Sequence, residues 1–183
     1  MFLEWLLIIL GGLVLAIAIF ALFVAIQPAD FRITRSGTIA APAADVFAQV
    51  NDLHNWQAWS PWAKRDPAMK QNYDGAPSGT GASYSWSGNK DVGEGRMTIT
   101  ESRPSDLVRI KLEFLKPFKA TNTSEFTVKP DGQRTVVTWS MSGQRNFVMK
   151  AFGLFMNMDK MVGGDFEKGL ASLKEVTEAA VKK

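Results

Sequence analysis

Three hydrophobic patterns follow one another along the chain, and each predicts a different kind of element. The first is continuous. From Trp5 to Ile26 no charged or strongly polar residue appears, and fifteen of these 22 positions are Leu, Ile, Val or Phe. A helix of that length spans roughly 33 Å, against a bilayer core of about 30 Å. Summed on an insertion scale, the fifteen side chains contribute very roughly −5 to −9 kcal/mol as an upper bound. A cleaved signal peptide fits less well. Its apolar region is normally shorter, and this N-terminus carries Glu4 with no Lys or Arg before the run. Ala25-Ile26-Gln27 is also a poor small-x-small cleavage site. The pattern therefore predicts a single-pass transmembrane anchor over residues 1–29, followed by a domain over residues 30–183.

The second pattern alternates with period two, the signature of strands with one buried face. Phe31, Ile33 and Ile39 share one parity; Arg32, Thr34 and Ser36 take the other. Ala40-Ala41-Pro42 then opens a helix whose apolar face is Val46, Phe47 and Val50, and a second short helix is expected over Leu53 to Trp59. Strands are expected near Met69–Tyr73 and over Ala82–Ser87, Gly95–Glu101, Leu107–Phe114, Ala120–Val128 and Thr135–Ser142. Turn signals separate them, notably Asp74 to Gly81, Ser87 to Asp91, Pro104-Ser105-Asp106 and Pro130-Asp131-Gly132. Such short connections predict antiparallel pairing.

The third pattern is helical. Between Gln144 and Lys182 an apolar stripe runs through Phe152, Phe155, Val162, Phe166, Leu170, Leu173, Val176 and Ala180. It predicts one long helix, or two in line. A sheet must bury its apolar face against something, and this is the only long helix after the strands. The fold class expected is α+β: an antiparallel sheet of about 6–7 strands curved around the C-terminal helix, with one transmembrane helix in front. The helix itself divides in two. Phe166 to Val176 has a single clear stripe. Phe147 to Met161 is apolar nearly all round and rich in methionine, which suits a pocket gate, a membrane-facing surface or burial under loops. Gly163-Gly164 lies at the junction.

Charge and composition narrow the chemistry. Lys and Arg number 21 against 18 Asp and Glu, dispersed with no dense basic block, which speaks against a nucleic-acid partner. There is no cysteine and one histidine, His54. Disulfides, thiolate catalysis, Cys-based metal sites and His-pair metal sites are excluded. Gly93-Glu94-Gly95 matches neither phosphate-binding glycine motif, so no cofactor is expected. Arg32 and Arg35 flank the C-terminal end of the apolar run, and the Lys/Arg bias favours a cytoplasmic domain. Nothing in the sequence specifies an oligomeric state.

Two segments carry a family resemblance. Ile39-Ala40-Ala41-Pro42-Ala43-Ala44-Asp45-Val46-Phe47, followed by Trp56-Gln57-Ala58-Trp59-Ser60-Pro61-Trp62, resembles the opening of the START-like (SRPBCC) superfamily. In particular it is similar to the polyketide cyclase/dehydrase and lipid transport branch. Gly93 to Ile99 and Thr135 to Met141 fit the same branch. The resemblance spans roughly Phe31 to Lys182. It implies the helix-grip fold and a cavity for a small hydrophobic or lipid-like ligand between sheet and long helix, with catalysis in a minority of members.

Candidate lining residues follow from strand parity: Tyr84, Trp86, Met97, Ile99, Ile110, Leu112, Phe114, Phe126, Trp139 and Met141, joined from the helix by Phe152, Phe155, Met156 and Val162. The same positions describe a filled core equally well. Asn122 and Ser124 share the parity of Phe126, so the strand places polar groups at inward positions unless its end projects beyond the core. The tryptophans of Trp56 to Trp62 read as a plug for one end of the sheet. A ligand-binding role stands ahead of an enzymatic one, because only Tyr84, Asn122 and His54 offer polar chemistry and none forms a recognisable catalytic set. The alternatives are a cyclase-like enzyme using the same cavity and a non-catalytic interaction or stress module with a filled core.

Overall fold

A computed structural model describes residues 1–182. Its elements run α1 (Phe2–Ala25), β1 (Asp30–Ile39), α2 (Ala43–Asn51), α3 (Trp56–Trp59), β2 (Lys70–Gly75), β3 (Ala82–Ser87), β4 (Glu94–Arg103), β5 (Leu107–Lys116), β6 (Ala120–Asp131), β7 (Arg134–Gln144), α4 (Phe147–Gly153) and α5 (Met158–Val181). The strands form one seven-stranded antiparallel sheet in the order β1-β7-β6-β5-β4-β3-β2. Hairpins link β2 through β7 in sequence, and β1 closes the far edge beside β7. The fold is the α+β helix grip that the patterning predicts. The chain divides into two compact units: Met1–Phe31 with Gln144–Asn157, and Arg32–Gly143 with the residues from Met158 onward.

In the sheet unit, α5 supplies the buried face. Gly163, Phe166, Leu170, Leu173 and Thr177 are buried, in steps of three and four. The stripe sits one position away from part of the expected one: Val162 and Val176 are half-buried and Ala180 is exposed. Thr177 tolerates burial because its hydroxyl donates to the Leu173 carbonyl at 2.7 Å. Phe166 stacks on Trp139 of β7 with centroids 4.1 Å apart, and Trp139 stacks on Phe126 of β6 at 4.7 Å. Trp56, Trp59 and Trp62 meet this pile edge-on at 5.6 to 6.4 Å. Gly169 makes the approach possible, since a Cβ there would come within 2.7 Å of the Trp139 ring. The tryptophan segment is thus a plug, as expected. Its indoles also serve α2: Trp56 Nε1 donates to the Val50 carbonyl at 3.0 Å and Trp59 Nε1 to that of Gln49 at 3.2 Å, at the helix end where carbonyls lack intrahelical partners.

Arg35 holds β1 to α5. It shares the parity of Ile33 and Ile39 and so points toward the helix rather than to solvent. Its guanidinium bonds both Asp159 carboxylate oxygens (2.9 and 3.1 Å), the Asp159 carbonyl (3.1 Å) and Glu167 Oε1 (2.7 Å).

In the other unit, α1 is long and apolar enough to cross a membrane, with almost every large side chain exposed. The C-terminal helix is not continuous: α4 ends at Gly153 and α5 starts at Met158, with turns between them. α4 packs against α1. Asn146 caps it by accepting from Met149 N–H at 2.9 Å. Lys150 Nζ donates to the Ala25 carbonyl at 3.1 Å, and Arg145 donates from its side chain to Pro28 (3.0 Å) and from its backbone N–H to Ala29 (2.8 Å). Two basic residues therefore satisfy carbonyls at and just beyond the negative end of the α1 dipole.

Candidate functional site

Strand register sorts the inward side chains into rows across the sheet. Ile99, Ile110, Ser124 and Met141 are successive cross-strand partners, and all are buried. Deeper still, Phe126 opposes Trp139 in the ring pile. Of the expected lining residues, Ile99, Ile110, Ser124, Phe126, Trp139 and Met141 are therefore buried in packed rows. Ser124 is polar yet satisfied, because its hydroxyl accepts from Trp139 Nε1 at 2.9 Å.

The next row is different. Tyr73, Tyr84, Met97, Leu112, Asn122 and Gly143 are successive partners across six strands. Met97 and Leu112 are half-buried, as are Trp86 and Phe114 beyond them. This end of the inner face is apolar and partly open. Trp86 lies over Gly95, where any Cβ would overlap its ring, and meets Phe114 edge-on at 6.2 Å. Its indole N–H is satisfied by the Val92 carbonyl at 3.1 Å. A ladder of ring contacts links Phe114, Trp86, Tyr84, Tyr73 and His54.

Asn122 stands at the inner edge of this patch and is only 5% exposed. Its amide nitrogen contacts the sulfur of Met141 at 3.9 Å, but its Oδ1 has no hydrogen-bond partner. The strand end carrying Asn122 and Ser124 is thus interior, not projecting into solvent. A buried carbonyl oxygen without a donor costs about 1–3 kcal/mol. It is the one inward side-chain oxygen among the described residues left unsatisfied.

Tyr84 is buried in the same row. Burial is the main force pushing its phenol up to about 12; Gln57 opposes the shift and Tyr73 adds to it. Near neutral pH the group is a hydrogen-bond donor, not a base. His54 is mostly exposed, stacked on Tyr73 at 4.1 Å, with Nδ1 2.8 Å from Asp52 Oδ1. Asp52 also accepts the His54 backbone N–H at 2.9 Å, so the pair is a local turn. A crevice of 140 Å³ lies beside it, lined by Leu53, His54, Tyr73, Pro77 and Ala82 among others. That is below the volume of ordinary small-molecule sites. No group of His, Asp or Glu among the described residues is arranged to hold a metal ion.

Phe152, Phe155 and Met156, expected from the helix, lie in the α1 unit, which runs to Asn157, and are 53%, 79% and 45% exposed. Arg35 enters the sequence reading only as a charge flanking the apolar run; its parity with Ile33 and Ile39 hints at an inward place, which its bonds to Asp159 and Glu167 establish.

Known proteins agree with this geometry. A solution structure from Thermobifida fusca aligns with a TM-score of 0.59 at 24% identity, covering 80% of this chain and 92% of that one. The di-domain ARO/CYC protein StfQ of the steffimycin biosynthetic pathway aligns with a TM-score of 0.61 at 10% identity, covering 85% of this chain and 53% of that one. The Aha1 dimer of Colwellia psychrerythraea aligns at 0.55 and 14%, covering 81% and 96%. These likenesses establish the fold. No curated protein sequence matches the chain. The profile of one family, described as polyketide cyclase / dehydrase and lipid transport, matches residues 30–178. With four-fifths of its length inside that match and the sheet, plug and gripped helix in place, the chain belongs to the polyketide cyclase / dehydrase and lipid transport family.

Proposed function

We propose that this is a membrane-anchored binding protein that holds a small hydrophobic or lipid-like ligand at the open end of the sheet's inner face. The observation that carries the reading is the orphaned Oδ1 of Asn122 beside half-buried Trp86, Met97, Leu112 and Phe114. An apolar surface with one unsatisfied acceptor suits a ligand with an apolar body and a single O–H or N–H donor. Family membership supports a hydrophobic ligand. The length and apolarity of α1 support a single-pass anchor, which would keep the site near a membrane supply of such molecules. Arg32 and Arg35 favour a cytoplasmic location for the sheet unit.

The test is native mass spectrometry and solvent extraction of the full chain purified in lipid nanodiscs, beside Asn122→Leu. A hydroxyl- or amine-bearing hydrophobic molecule retained by the parent and lost from the variant is the expected result. Equal retention by both proteins, or none by either, would overturn the role of Asn122.

A second reading has its own support. The ring pile of Phe126, Trp139 and Phe166 occupies the space between sheet and α5, which favours an interaction module with a filled core. An empty parent protein in the same experiment would favour it. A cyclase-like reaction on the patch would have Tyr84 as a proton donor, with its phenol held neutral by burial.

A further inference from the structure

We infer that the segment from Phe147 to Met156 is an interfacial membrane element, lying in the headgroup–acyl boundary of the bilayer that α1 crosses. This rests on the reading of α1 as the anchor. Phe147, Val148, Phe152, Phe155 and Met156 are 45 to 79% exposed, a density of bare apolar side chains that a water-facing helix does not carry. Val148 and Phe152 are one helical turn apart on α4, and the turn that follows, closed by the Phe155 and Met156 N–H groups donating to the Phe152 carbonyl at 3.0 Å, adds two more exposed apolar side chains, while Met149, Lys150, Ala151 and Leu154 are half-buried.

The occupant of that face follows from what α4 is fixed to. α4 packs on α1, and Lys150 and Arg145 bond the carbonyls of Ala25, Pro28 and Ala29. The span of 24 residues is roughly 36 Å long, so an end placed at one interface leaves the other end at the opposite one. α4 is therefore held at the level where the span leaves the hydrocarbon. Both α1 and α4 carry exposed large apolar side chains. Among the described residues, no carboxylate forms an ion pair with Arg145 or Lys150. Unpaired cations beside exposed aromatic and Met side chains match phospholipid phosphates above acyl chains.

The natural chain lacks cysteine, so single nitroxide labels can be placed cleanly. Full-length Phe155→Cys, Leu15→Cys and Asp131→Cys proteins are reconstituted in phosphatidylcholine vesicles containing phosphatidylglycerol. Collision with oxygen is then compared with collision with a water-soluble nickel chelate. The oxygen-to-nickel ratio at position 155 is expected several-fold above that at 131, an exposed hairpin position, and below that at 15. A ratio at 155 equal to that at 131, with position 15 immersed, overturns this inference and leaves the anchor standing. Poor access of both reagents to 155 means a second protein surface covers the face, and also overturns it. A water-accessible label at position 15 overturns the anchor and this inference together.

Discussion

The guanidinium of Arg35 lies across the backbone of Gly163, where a Cβ would overlap its Nη2 and central carbon. The neighbouring Gly164 faces open space, with no atom within 4 Å of a built Cβ. Two adjacent glycines in one helix therefore have opposite meanings. Gly164→Ala removes only the helix cost of glycine and is expected to stabilise by about 1 kcal/mol, or about 2–4 °C in Tm for a chain of this size. Gly163→Ala must expel the guanidinium from a fork shared by Asp159 and Glu167, and its Tm is expected to fall below the parent. Thermal melts followed by circular dichroism in detergent decide it. A rise for both variants would show that Arg35 moves aside freely.

The same contact sets a pH dependence. Hydrogen bonding to Arg35, with charge attraction behind it, holds the Asp159 carboxyl below the usual carboxylate range. A carboxyl depressed in the folded state contributes stability above its unfolded pKa and loses it as pH falls through the folded one. Stability from this pair should be intact near neutrality and decline below about pH 4. Asp159→Asn is expected to be less stable than the parent at pH 7, with the gap closing in acid. A gap that stays constant down to pH 2.5 would assign the effect to helix capping instead.

The sheet was legible because its causes are local. Val108, Ile110 and Leu112 alternate cleanly with Arg109 and Lys111, and the turn residues between strands leave antiparallel pairing as the short-range solution. The α5 stripe was legible except where a small or polar residue takes an inward place: Gly163 and Thr177 are buried for tertiary reasons that no hydrophobicity pattern contains. Arg35 was passed over for the same cause, since a charged residue at an inward parity reads as an exception until its two carboxylates, more than a hundred positions away, are seen beside it. The excess apolarity of Phe147 to Met161 was visible, but the placing of its part up to Asn157 in the α1 unit depends on backbone carbonyls that Arg145 and Lys150 reach only in the folded chain. The orphaned oxygen of Asn122 is likewise invisible in sequence, because it is defined by the absence of a donor in three dimensions.

Gly169 tests how tightly the ring pile is filled. Adding a methyl group there brings it within 2.7 Å of Trp139 and 3.2 Å of Pro61. Neither neighbour is a flexible chain end, so Gly169→Ala should cost about 1–3 kcal/mol from overpacking, despite its helix gain. Urea denaturation with tryptophan fluorescence reads this as a lower midpoint. An unchanged midpoint would mean that the pile has slack, and would weaken the filled-core reading.

Tyr84 gives an alkaline signature. With its phenol raised to about 12 when folded, mainly by burial, the folded state holds that proton more tightly than the unfolded chain. The resulting stability is complete below about pH 10 and is lost as pH rises toward 12. Ultraviolet titration should show one of the two tyrosines ionising late, and Tyr84→Phe should abolish that step. If the late step persists in Tyr84→Phe, the assignment of the shielded phenol to Tyr84 fails.

Asn122 and Ser124 occupy adjacent rows of one strand face, and their substitutions are expected to move stability in opposite directions. Ser124 accepts the Trp139 indole proton at 2.9 Å in a buried site. Ser124→Ala leaves that N–H unpaired and should cost about 1–3 kcal/mol. Asn122 is equally buried, yet its Oδ1 accepts nothing. Asn122→Leu removes that unmet acceptor and adds an apolar side chain beside half-buried Leu112, its cross-strand partner. The ligand-free variant should be as stable as the parent or up to about 1 kcal/mol more stable. A residue that weakens the empty protein in this way is accounted for if its oxygen meets a donor on a bound molecule. Melting both variants after delipidation separates the cases. A clear loss of stability in Asn122→Leu would mean that a solvent molecule or a neighbouring donor already satisfies the oxygen, and the open end of the sheet would then lose the feature that marks it as a binding site.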